Sequence, residues 1–183
     1  MLRQFVANQA DLQDALVGAV GGRSDRTPDV AMSNSGLAAA YLNQAVLLRP
    51  ISDAYDAVLD HVASFHAGSV HPMPELDGLP PNRAMGPALL GSAVRNWIGY
   101  LDGNPIAVAA RHAAHGVVNL CLGRDPVGRA ATRRMAHARR GKTPDLPAVA
   151  FTSDHSRPGF LRMGFLPITR FTLWAVVAYA HGT

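Results

Sequence analysis

The chain is poor in several things at once. It has one cysteine among 183 residues, Cys121, which excludes an internal disulfide framework and any metal site built from several thiolates. Aromatic residues make up 7% and charged residues 16%. Because hydrophobic residues reach 48%, the low charge belongs to a folding chain and not to a disordered one. Long apolar runs are missing too. The longest, Phe171 to Ala180, is about half of the ~20 residues a spanning helix needs. The first residues carry no basic segment followed by an apolar stretch and a small-residue cleavage site, so the expectation is a cytoplasmic protein with no membrane role. Lysine occurs once, at Lys142; the other 16 of the 17 basic residues are arginine.

What is present is enough apolar side chain for one domain's core, since a chain of this size buries on the order of 70% of its unfolded surface. The net charge is +4 and unevenly spread. Arg124, Arg129, Arg133, Arg134, Arg139, Arg140 and Lys142 fall in one stretch that holds a single acid, Asp125.

Residues 1–40 read as an arm. Leu12, Leu16 and Val20 predict a short helix over Asp11–Val20, and Gly21 to Pro28 reads as a linker by its turn-rich composition. Residues 41–183 read as the main domain. Ala45–Leu48 is a strand candidate ended by Pro50. A helix is expected after the N-cap Ser52, with Tyr55, Val58, Leu59, Val62 and Phe65 at helical spacing, stopped by Gly68. Prolines at 72, 74, 80, 81 and 87 make 70–87 a loop. Trp97–Tyr100 and Ile106–Val108 flank Asp102-Gly103-Asn104, a hairpin signal. Gly116–Leu122 predicts a third strand and Asp125–Arg140 a helix with Pro126 at its first position. A strand over Ala148–Thr152, a short helix over Ser156–Met163 closed by Gly164, and a strand over Ile168–Val177 complete the pattern. The fold class expected is α/β, a mixed, mostly antiparallel sheet flanked by helices.

Three chemical patterns fail on context. Ala136 to Thr143 matches a loose phosphate-loop spacing, but a basic helix precedes it and Pro144 and Pro147 prevent a helix after it. His61 and His66 sit on different helix faces, and His112 and His115 lack a third ligand at metal spacing, so no metal is expected. Ser153-Asp154-His155 are adjacent, whereas a relay needs side chains converging from separate elements.

Several phrases in order resemble the GNAT superfamily of acetyl-CoA-dependent N-acyltransferases. These are Asn43–Pro50 with its helix, the hairpin Trp97-Ile98-Gly99-Tyr100-Leu101-Asp102-Gly103-Asn104-Pro105-Ile106-Ala107, the strand Pro147–Asp154, and the Gly164-Phe165 ending that runs into Trp174. The likeness covers roughly three quarters of the chain and lies in order and spacing. It implies two parallel strands that part to admit the pantetheine arm of acetyl-CoA, with the backbone of Leu120 and Leu122 pairing to it.

The resemblance further implies a pyrophosphate cradle at the next helix N-terminus, drawn from Arg124, Gly128 and Arg129 or, in a second alignment, from Arg139, Arg140 and Gly141. The first alignment, R-x-x-x-G-x-A, is one residue longer than the family's signature. Phe160 stands where many members carry a proton-donating tyrosine. Asn119 and Asp154 are the remaining catalytic candidates. The implied reaction is acetyl transfer to a primary amine, on a small molecule or a peptide, by direct attack. Two alternatives stand beside it: a catalytically degenerate protein of the same fold, and a polyanion- or nucleic-acid-binding module gripping through the basic helix. The absence of stacking aromatics from that helix argues against nucleic acid. A homodimer is left open.

Overall fold

The computed structural model describes residues 1–36, 42–51, 53, 55–67, 94–124 and 145–171. The described residues form helices α1 (Leu2–Ala19), α2 (Tyr55–His66) and α3 (Arg157–Arg162). Strands β1 (Arg23–Arg26), β2 (Val30–Asn34) and β3 (Gln44–Leu47) make one antiparallel sheet. Strands β4 (Arg95–Leu101), β5 (Asn104–Ala114), β6 (Val117–Arg124) and β7 (Ala148–Val149) make a mixed one in the order β4-β5-β6-β7. The α/β class with antiparallel and mixed sheets flanked by helices is what the sequence pattern anticipates. Two compact units are present: the first nine residues with β4–β7 and α3, and Ala10 onward with β1–β3 and α2.

In the unit that starts at Ala10, α1 supplies Leu12, Leu16 and Val17, all fully buried. The helix ends where Gly21 takes φ +75° and the Gly22 N–H reaches back to the Val17 carbonyl at 3.0 Å, a common left-handed helix stop. The stretch 21–28 is not a linker. Its centre is β1, paired with β2 from Arg23↔Asn34 to Arg26↔Ala31. No apolar periodicity announces β1, because none of its four residues is apolar. Thr27 makes the turn that follows, its Oγ1 accepting from the amides of Asp29 (3.2 Å) and Val30 (3.1 Å). On α2, Val58, Val62 and Phe65 pack against Val30 and Met32, while Tyr55 and Leu59, expected on the same stripe, are exposed. Ser52 and Gly68 lie outside the described residues.

In the other unit the hairpin appears where Asp-Gly predicts it. Asp102 (φ 49°) and Gly103 (φ 79°) form a two-residue loop, the left-handed pair that matches strand twist. His115 (φ 52°) and Gly116 (φ 71°) repeat it between β5 and β6. One sheet face carries Val117 and Val149, which meet Phe5 of α1. The opposite face carries Val118 and Leu120, packed with Trp97, Leu146, Ala148, Ala150 and Phe165.

Two strand expectations are corrected. β7 stops at Val149 instead of Thr152, and Ile168–Phe171 is not a strand. Pro167 offers no ladder donor, and Ile168 and Phe171 are exposed. The expected loop over 70–87, the helix over 125–140 and positions 172–177 lie outside the described residues.

Candidate functional site

The parallel pair β6–β7 is the feature that could open a site. Its register is short: Val118↔Ala148 and Asn119↔Val149, with the Val118 N–H donating to the Pro147 carbonyl at 2.9 Å. β6 then runs on to Arg124. From Leu120 onward it has no registered strand partner on that side among the described residues. On its other side β6 stays paired with β5, with one irregularity. Ala110 opposes Cys121 and Val108 opposes Arg124, so three steps along β6 span two along β5. An extra residue of this kind bends its strand and raises the local twist, and it lies just beyond the last β6–β7 pair, Asn119↔Val149.

The expected site residues distribute as follows. Leu120 lies at the start of the unpartnered stretch, its side chain buried in the Trp97–Phe165 cluster and its position opposite Arg111 of β5. Leu122 and Arg124 belong to the same strand. Gly128, Arg129, Arg139, Arg140 and Gly141 lie outside the described residues, so neither pyrophosphate alignment is tested by geometry.

The two catalytic candidates, and Phe160 at the position of the usual tyrosine, each have another occupation. Asn119 is buried on the α1 face and donates from Nδ2 to Oε1 of Gln9 at 2.9 Å. Asp154 has a side chain 72% exposed and sits between Arg170 at 2.9 Å and Arg157 at 4.0 Å. Phe160 is a piece of helix-end architecture. Gly164 takes φ +86°, the Gly164 N–H donates to the Leu161 carbonyl (3.0 Å) and the Phe165 N–H to the Phe160 carbonyl (3.1 Å). The rings of Phe160 and Phe165 meet edge to face at 5.2 Å. This is the hydrogen-bond pair and accompanying apolar contact of a Schellman stop. Asn119 and Asp154 are not brought together as an acid–base pair.

Behind β6 lie Asn8, which was not singled out from the sequence, and His112. Asn8 is fully buried and donates from Nδ2 to the carbonyls of Ala114 (3.0 Å), Val117 (3.4 Å) and His112 (3.5 Å). It thereby fastens the β5–β6 turn. His112 is buried directly across the ladder from Asn119. The available signal was a polar residue inside an apolar stripe: Phe5, Asn8, Leu12 and Leu16 follow helical spacing. Cys121 is half-buried, and burial pushes its thiol up to about 12, so it is no nucleophile at neutral pH. Among the described residues no three of His, Cys, Asp or Glu gather in a way that could hold a metal ion. No described helix is long and apolar enough to cross a membrane.

Against known protein families, curated proteins and solved structures, the chain finds no match.

Proposed function

We propose that the chain transfers an acetyl group from acetyl-CoA to a primary amine. The observation that carries this reading is the parting of β6 from β7 after Asn119↔Val149. An extended arm bearing amide groups, as pantetheine does, pairs with free strand edge in the way an added strand would. The backbone of Leu120 and Leu122 supplies that edge, and the strand ends at Arg124, a residue the family resemblance assigns to the diphosphate.

In the reaction the amine nitrogen attacks the thioester carbonyl. A carbon–nitrogen bond forms, the carbon–sulfur bond breaks, and CoA leaves as thiolate while the amine proton passes to solvent or thiolate. The occupations of Asn119, Asp154 and Phe160 favour a reaction driven by placement, since holding two reactants in attack geometry is itself worth several kcal/mol, roughly 7–11 at the upper end.

The test is calorimetric and thermal titration with CoA and acetyl-CoA, followed by release of free thiol in the presence of a mixed panel of primary amines. Ligand at ten times its Kd stabilises by about 1.4 kcal/mol, a measurable upward shift. Binding with no thiol release supports the degenerate form of the fold. No stabilisation at millimolar CoA overturns the proposal.

A further inference from the structure

Among the described residues β1 is an outer strand of its sheet and the one strand without an apolar side chain. Arg23, Ser24, Asp25 and Arg26 are all exposed. Successive side chains on a strand point to opposite faces, and here each face meets a different helix.

Toward α2, Arg23 Nη2 donates to the Phe65 carbonyl, and its guanidinium carbon lies 4.8 Å from the centre of the Phe65 ring. On the same face His61 Nε2 lies 3.1 Å from Asp25 Oδ2. Toward α1, Arg26 Nη2 donates to Asp11 Oδ1 at 2.8 Å and Asp14 Oδ2 at 2.9 Å. Burial pushes the Asp14 carboxyl above its ordinary range, and the Arg26 charge is the largest influence drawing it back.

β2 behind it is built differently. All five of its residues are buried, and Val30 and Met32 pack on Val58 of α2. The tie between β1 and the rest therefore consists of backbone hydrogen bonds, ion pairs and the hold of the Arg23 guanidinium on Phe65, whereas the tie between β2 and α2 is apolar.

We propose that β1 is an ion-held strap that salt releases, baring the Val30–Asn34 edge of β2 while β2 stays docked. Exposed charge pairs weaken as the screening length falls from ~10 Å at 0.1 M salt to ~3 Å at 1 M. Apolar packing does not weaken in this way. Segments with few buried apolar contacts open at the low end of a protein's stability range, and β1 has none.

The test is amide hydrogen exchange of the intact chain, read by mass spectrometry on peptides covering 23–26, 30–34 and 117–121, at 0.05 and 1 M NaCl. The expected result is exchange over 23–26 faster by about 3- to 10-fold at high salt, a rise in 30–34, and no change in 117–121. Arg26→Gln raises exchange over 23–26 at low salt by a similar factor and flattens the salt response. Salt-independent exchange over 23–26, or an equal rise in 117–121, overturns the proposal on the unaltered chain alone.

Discussion

Asn8 offers the sharpest test of how the first helix is fastened to the sheet. Its Nδ2 serves three carbonyls of one turn, and its Oδ1 is buried with no partner among the described residues. Asn8→Leu keeps the approximate shape, removes the donor and removes the orphaned oxygen. Of the three bonds only that to Ala114, at 3.0 Å, is short, so the donor's loss costs about 2–3 kcal/mol, counting the carbonyls left without it. Relief of the orphan returns about 1 kcal/mol, and leucine's better helix propensity adds a few tenths. The expected net loss is about 1–2 kcal/mol.

Asn8→Asp is isosteric and harsher, because it aims an acceptor at three acceptors. An ionised carboxylate there is disfavoured, so the introduced group's folded pKa lies above its unfolded value of ~3.9. A raised acid is harmless below the unfolded pKa, and its penalty grows by about 1.4 kcal/mol per pH unit above it until the folded pKa is reached. Urea unfolding followed by circular dichroism at pH 4 and pH 7, each against unaltered protein at the same pH, reads both effects. The substitution is expected to cost about 3–5 kcal/mol at pH 7 and far less at pH 4. A penalty below about 0.5 kcal/mol at pH 7, or one equal at both values, would show that Nδ2 does not hold this turn.

Other outcomes follow from single observations. Gln13 is 2% exposed with both amide atoms lacking a partner among the described residues, so Gln13→Leu is expected to raise stability by about 1 kcal/mol in the same urea assay. A Cβ at Gly22 would stand 2.6 Å from the Asn34 carbonyl oxygen and 2.7 Å from Ser35 Cα. Gly22→Ala therefore costs about 3 kcal/mol or more, whereas Gly18→Ala, with open space around it inside α1, gains about 0.5–1 kcal/mol; equal effects in thermal melts would refute the steric account. With its thiol pushed up to about 12, Cys121 is expected to react with iodoacetamide at pH 8 about a thousand-fold more slowly than an unperturbed thiol of pKa ~8.5, and at the ordinary rate in 6 M guanidinium.

What the sequence made legible follows from whether local signals agree with tertiary ones. The Asp102-Gly103 turn and the Gly164 helix stop are local chemistry, and both stand where composition puts them. β1 was illegible because its four residues carry strand geometry through pairing with Val30–Asn34 and through charges on two helices. Neither source leaves a period-2 apolar trace. The start of α1 was missed for a related reason. Asp11 reads as a first-turn acid, yet it sits mid-helix, where its carboxylate answers Arg26. At the candidate site the strand bearing Leu120 and Leu122 was legible from its apolar run. The early end of β7 was not, since where a parallel pair stops is a register property that leaves no local sequence trace. Phe160 was legible only as a departure from a family pattern; its role as partner to Phe165 needed the geometry of the helix end.

The partners of Asn8 lie 104 to 109 positions further along the chain. During synthesis at ~5–20 residues per second, that interval is about 5–20 seconds in which the opening helix exists without the turn it will fasten. A helix in a protein takes most of its stability from packing of its apolar face, and contacts so distant in sequence are slow to close. The turn of α1 that carries Asn8 is thus made well before the strands that secure it. Over that window a nascent-chain chaperone would meet Phe5 and Asn8 unsheltered.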